Sequence, residues 1–145
     1  MLKKLIRSVL PKKRTEQPSC RRHAIRLPVR NAAAVRVLET LLHAGYESYL
    51  VGGAVRDLLL GREPKDFDIA TAATPEQVTK LFRRSRIIGR RFQIVHVVIG
   101  RDTIEVSTFR SGGHVRQNEN GRIMQDNAYG TVEQDAQRRD FTCNA

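Results

Sequence analysis

Two stretches decide the fold: Leu50-Val51-Gly52-Gly53-Ala54-Val55-Arg56-Asp57, and, after one short helix's length of chain, Asp66-Phe67-Asp68-Ile69. Residues 47–51 have the composition of a strand, Gly52-Gly53 that of a tight turn, and residues 54–60 that of a short helix closed by Gly61. Residues 66–70 read as a second strand. Side chains at i and i+2 of a strand share a face, so Asp66 and Asp68 stand side by side while Phe67 and Ile69 point into a core. Two ionised carboxylates about 6–7 Å apart repel each other unless a cation lies between them. Hard oxygen donors of this kind suit Mg²⁺ or Mn²⁺. The same acids on a solvated surface strand need no metal, and the tetrapeptide alone leaves both readings open. Gly52 and Gly53, at the start of a helix, let a phosphate approach the backbone and meet the positive end of the helix dipole. Arg56 adds a guanidinium fork for phosphate oxygens. A plain tight turn has the same sequence. With one helix and a return strand between them, a phosphate cradle and a carboxylate pair fall on the same side of one sheet.

The flanking chain alternates helix and strand. Asn31 is the expected N-cap of a helix over residues 32–44, with Val35, Leu38, Leu41 and Leu42 on one face and Gly45 as the stop. Thr74 caps, and Pro75 opens, a helix to about residue 84. Residues 94–99 and 103–109 predict a hairpin through Gly100-Arg101-Asp102. Ile104, Val106 and Thr108 share one face of its second strand, and Glu105 takes the other. If that strand lies beside residues 66–69, Glu105 completes a carboxylate cluster; otherwise it is an exposed strand glutamate. His96, in a run of β-branched residues, reads as a strand histidine without chemistry, and His23, His43 and His114 show no metal-ligand spacing. Residues 111–127 are polar and rich in Gly and Asn, hence a loop, and residues 131–138 predict a helix. Such alternation describes an α/β (α+β) domain with one small sheet.

The chain has 145 residues, enough for a core without disulfide or metal staples. Its composition excludes a collagen-like or disulfide-scaffold protein, and no apolar run approaches the roughly 18 residues of a membrane span. Cys20 and Cys143 form no CxxC pair and suggest free thiols in a reducing, cytoplasmic compartment. The net charge is +11, which favours an anionic partner. Residues 1–30 hold ten basic residues and one acid and carry +9, while the remaining chain is near neutral at +2. That extension reads as largely disordered. Within it Leu2, Leu5, Ile6, Val9 and Leu10 follow helical spacing, so residues 2–10 are either a weak membrane-surface or RNA contact or a frayed leader. Arg83, Arg84, Arg86, Arg90 and Arg91 form a basic cluster, either an RNA-backbone or triphosphate contact or a solvated helix end.

Four blocks in this order resemble the head-domain signature of the class II nucleotidyltransferases, the bacterial poly(A) polymerases and CCA-adding tRNA nucleotidyltransferases. They are residues 50–61, Lys65-Asp66-Phe67-Asp68-Ile69, Ile104-Glu105-Val106-Ser107-Thr108-Phe109-Arg110 and Arg138-Arg139-Asp140-Phe141-Thr142-Cys143-Asn144-Ala145. The resemblance covers about residues 24–145. Residues 89–97, Asp126-Asn127-Ala128-Tyr129-Gly130 and residues 133–141 resemble the poly(A) polymerase branch, as does the basic extension. The resemblance implies a polymerase-β-like palm, a small mixed sheet with helices packed on one face. It implies that Asp66 and Asp68 bind two Mg²⁺ ions, and that Gly52, Gly53 and Arg56 hold the triphosphate of ATP. Arg110 then neutralises phosphate or helps close the adjacent loop. Asp140 with Arg139 binds the ribose or orients the site, and either Glu105 or Asp140 is the third catalytic acid. The implied reaction is template-independent addition of AMP to RNA 3′ ends, with no obligate protein partner inferred. The family's nucleotide-selecting neck is absent, and the chain stops inside a patterned segment at Ala145. The expectation is therefore a head domain, residues 31–145, cut at the head–neck junction and inactive alone. The alternatives are a CCA-adding enzyme and, from another class, a non-catalytic RNA-binding module.

Overall fold

Asn31 opens the first helix of the described residues, α1 (Ala32–His43), its side chain accepting the Ala34 N–H at 2.8 Å. The structure is a computed structural model that describes residues 29–90, 92–112, 116–117, 123–125 and 128–144. The possible helix at 2–10, Cys20, His23, Arg91 and His114 lie outside the described residues. After α1 come β1 (Ser48–Val51), α2 (Gly53–Leu59), β2 (Asp68–Thr71), α3 (Pro75–Leu81), β3 (Ser85–Ile88), β4 (Ile94–Ile99) and β5 (Asp102–Thr108). A short β6 (Arg116–Gln117) pairs with β7 (Ile123–Gln125), and α4 (Val132–Gln137) precedes a 3₁₀ turn, Thr142–Asn144.

The main sheet is mixed, with strand order β1-β2-β5-β4-β3. Only β2 and β5 run parallel; the other neighbours are antiparallel. One face carries the core. Ile69, Val95, Val97, Ile104 and Val106 meet Val37 and Leu41 of α1 and Val78 of α3. Burying such side chains contributes about 1.5–3 kcal/mol each. On the other face Val132 of α4 packs at one end on Val51, Ala70 and Phe109. The remainder of that second face is where the candidate site lies.

Two helices open on capping boxes. The Thr74 side chain accepts the Gln77 N–H while Gln77 accepts the Thr74 N–H, and Thr131 and Gln134 do the same for α4. Four expectations change. The buried stripe of α1 is Ala33, Ala34, Val37 and Leu41, while Leu42 is exposed. The helix approaches the sheet through small residues, which rotates the face away from Leu42. Strand β2 starts at Asp68, so Asp66 sits in the preceding bend and does not alternate with Asp68. The last rung of the β1–β2 ladder is Val51 with Asp68, because Gly52 (φ 74°) turns the chain away and ends the pairing on the β1 side. Helix α3 stops at Leu81, and Phe82 is extended, leading into β3, a strand the sequence reading passes over. The segment expected as a loop at 111–127 contains the β6–β7 ribbon.

Candidate active site

The ladder registers draw one row across the sheet: Val51, Asp68, Glu105, His96 and Arg86. Registered neighbours share a face and sit about 4.8 Å apart. Glu105 is therefore the lateral neighbour of Asp68, on the face opposite the helical core. The Glu105 Oε1 lies 3.4 Å from His96 Nε2. His96 is thus a partner of a site acid. The sequence reading left it without chemistry because the pairing exists only across two strands.

Asp68 is half-buried, and its carboxyl is held above the ordinary carboxylate range. Burial is the main cause, followed by the negative charges of Glu105 and then Asp66; the positive charge of Arg139 pulls the other way. Asp66 therefore acts on Asp68 although it lies outside the strand. Gly52 is packed against the same carboxylate: a Cβ built there falls 2.7 Å from Asp68 Oδ2. With φ 74° and ψ −148°, the position needs glycine on both counts. The Gly52 N–H donates to the Asn144 carbonyl at 2.9 Å, so it is committed within the chain and not free for a phosphate. That bond joins the block at 50–61 to the block at 138–145. Arg56 folds over Gly53 and donates from Nε and Nη2 to Asp57 Oδ1, both at 2.9 Å.

The sequence reading missed Asp135, which is 2 % exposed. Its Oδ1 accepts the Arg110 backbone N–H at 3.1 Å and Arg138 Nε and Nη2 at 2.9 and 2.5 Å. Its Oδ2 accepts Arg139 Nε and Nη2 at 3.2 and 2.9 Å. Burial pushes the Asp135 carboxyl up, but these hydrogen bonds and charges outweigh it and hold the group below its ordinary value. The available signal was an acid three and four residues before two arginines on a helix. Asp135 thus ties α4 to the end of β5 and fixes Arg139. Arg110 places its guanidinium 4.9 Å from the Phe92 ring centroid. Asp140 is exposed in the bend after α4. Beside the carboxylates, a largely apolar cleft of about 500 Å³ is lined by Val51, Val55, Leu58, Phe109, Val132 and Arg139.

The structure therefore gathers Asp66, Asp68, Glu105 and Gly52, with Arg139 acting on Asp68 through its charge. Among the described residues, no three His, Cys, Asp or Glu side chains converge closely enough to hold a metal ion alone. Among the described residues, no helix is long and apolar enough to cross a membrane.

The fold is that of a nucleotidyltransferase head, as solved relatives show. The solved Bacillus stearothermophilus CCA-adding enzyme in complex with CTP matches with a TM-score of 0.63 at 38% identity, over 81% of this chain and 27% of that one. A tRNA nucleotidyltransferase complexed with a primer tRNA and an incoming ATP analog matches with a TM-score of 0.51 at 30% identity, over 74% of this chain and 29% of that one. Residues 48–145 match the Poly A polymerase head domain, and the chain belongs to that family. It is 52% identical over 133 residues to Poly(A) polymerase I of Salmonella typhi, covering 85% of this chain and 28% of the relative. The CCA-adding enzyme of Lactobacillus helveticus is 44% identical over 115 residues, covering 77% of this chain and 28% of the relative. The chain thus spans little more than a quarter of the length of these relatives.

Proposed function

We propose that this chain is the catalytic head of a template-independent RNA 3′-end nucleotidyltransferase that adds AMP from ATP. The observation that carries this reading is the 52% identity to Poly(A) polymerase I over 85% of this chain, against 44% to a CCA-adding enzyme over 77%. In the reaction the RNA 3′-oxygen bonds to the α-phosphorus of ATP, and the bond to the bridging oxygen breaks, releasing pyrophosphate.

Asp66 and Asp68 are the residues that hold two Mg²⁺ ions, with Mn²⁺ as a substitute. The donor chemistry fits. Asp68 is partly buried and crowded by two further carboxylates, an arrangement that a cation relieves. Mg²⁺ characteristically takes one or two carboxylates and completes its shell with water and substrate phosphates. A protein site with too few ligands to close the shell alone is consistent with that habit. When bound, the ions supply activation of the attacking hydroxyl and charge neutralisation on the departing pyrophosphate. Glu105, the lateral neighbour of Asp68, is the third acid. Gly53 and Arg56 line the triphosphate side, and Gly52 keeps backbone and carboxylate close. Arg139, held by Asp135, and Asp140 orient the nucleotide ribose, and Arg110 adds positive charge at the end of β5. The exposed thiol of Cys143 suits a reducing cytoplasm.

The test uses full-length protein with ATP, CTP and Mg²⁺ on generic RNA and on tRNA lacking its 3′ end. Long A-tails on generic RNA are expected. Limited C and A addition confined to tRNA would replace the reading with CCA addition. RNA binding with no transfer would make the chain a binding module. Asp66→Ala and Asp68→Ala should each abolish transfer.

A further inference from the structure

On the same open face, at the opposite edge from the Gly52-Gly53 turn, lies a second cleft of about 380 Å³. Arg83 and Arg84 precede edge strand β3, Arg86 lies on it, and His96, Val98 and Thr103 line the rest of the cleft. The Val98 N–H donates to the Arg84 carbonyl at 2.8 Å, so the segment carrying Arg83 and Arg84 runs on along the edge of β4. All three arginines are exposed, and among the described residues none pairs with a carboxylate. The acid nearest in the row, Glu105, is engaged by His96. Three guanidinium charges around one cleft repel each other, and a polyanion relieves that repulsion.

Position decides which polyanion. The row runs from β1 and its Gly-Gly turn through Asp68 and Glu105 to His96 and Arg86. The carboxylates thus separate the triphosphate side from the arginine side. Three strand spacings, about 14 Å, separate Asp68 from Arg86. A strand whose 3′ end reaches the carboxylates from the side that ATP leaves open crosses this cleft within a few nucleotides. Among the described residues no Phe, Tyr or Trp lines the cleft, and the one ring there, His96, is engaged with Glu105, so phosphate contacts outweigh base stacking. Contacts confined to phosphates position a strand without reading its sequence.

We propose that Arg83, Arg84 and Arg86 form a phosphate-binding track for the RNA backbone just upstream of the 3′ end. The track rests on the transferase reading above, in that it supplies the second substrate's approach to the same carboxylates.

The test measures binding of labelled single-stranded RNA to the full-length protein between 50 and 200 mM salt, a range over which phosphate contacts dominate affinity. No ATP is present, so binding is read separately from transfer. The combined variant Arg83→Gln, Arg84→Gln, Arg86→Gln should lower the slope of log K against log salt by about 2, at about 0.7 per phosphate contact on a single strand. The corresponding three Arg→Lys changes should restore the slope, since a point charge suffices. In turnover, the Gln variant should raise KM for RNA about ten-fold or more, with KM for ATP and kcat at saturating RNA unchanged. An unchanged slope and affinity would overturn the track. A rise in KM for ATP in place of KM for RNA would also overturn it, by assigning the arginines to the triphosphate. A wild-type protein that binds RNA with the expected slope but transfers nothing would sink the transferase reading alone.

Discussion

Replacing Asp135 by Asn tests whether the site is held together by one buried carboxylate. The two oxygens of Asp135 accept five N–H groups, four of them from Arg138 and Arg139. Asn keeps one acceptor oxygen and turns the other into a donor facing a guanidinium fork, so one arginine loses its partner and the charge is gone. Removing one member of a buried ion pair costs about 3–5 kcal/mol. Here the arginine side chains are 32% and 19% exposed and regain some hydration, which places the loss near the lower end, about 3 kcal/mol. At about 4 °C per kcal/mol for a chain of this size, Tm falls by about 12 °C. Thermal and urea unfolding measure it directly. A cycle with Arg139→Gln should give a coupling energy of at least about 1 kcal/mol. The pH dependence has a fixed sign. The folded-state value of Asp135 is lowered, so its contribution is whole above the ordinary carboxylate range and is lost as pH falls through that range and below it. A variant melting within about 2 °C of wild type, with additive effects in the cycle, would refute the argument.

Four further outcomes are expected. Gly52→Ala puts a Cβ 2.7 Å from Asp68 Oδ2 at φ 74°, so it should cost about 1–3 kcal/mol and strongly reduce transfer, checked by melting and AMP incorporation. Asp68→Asn should abolish transfer yet raise Tm without metal. Because the wild-type carboxyl is raised in the fold, its ionisation destabilises as pH climbs from the ordinary carboxylate range through the raised value, and the variant should lack that decline. Mg²⁺ at a hundred times its Kd should stabilise wild type by about 2.7 kcal/mol and leave Asp68→Asn unmoved. Glu105→Gln should lower kcat more than Asp140→Asn, because Glu105 is registered with Asp68; the reverse order in single-turnover kinetics would return the third acid to Asp140.

The helices were legible because their signals are local. Asn31 and Thr74-Pro75 cap where their sequences place them, the helix expected over residues 131–138 forms as α4, and the β4–β5 hairpin follows from alternation around Gly100. Strand β3 was not legible. Its four residues, Ser85-Arg86-Ile87-Ile88, do not alternate cleanly, and an edge strand is specified by its partner β4 more than by its own pattern. The face of α1 differs from the expected one because Ala33 and Ala34 weigh little in a hydrophobic pattern yet are buried in the core. Asp66 does not alternate with Asp68 along one strand; its charge reaches Asp68 from a bend.

By itself the sequence determined which side chains were available: the paired acids, the glycines beside them, the arginine blocks and the family they mark. Those depend on residue identity and short spacing alone. Tertiary structure decided which of them meet. The parallel pairing of β2 with β5 sets Glu105 beside Asp68 across 37 residues of chain, and His96 joins them from β4. The bond from Gly52 to Asn144 brings together blocks some ninety residues apart. Asp135 becomes a hub only once α4 is docked on the end of β5. Such contacts are set by sheet order and register, which arise from burying one whole face of the sheet at once, and no local window of sequence carries that information.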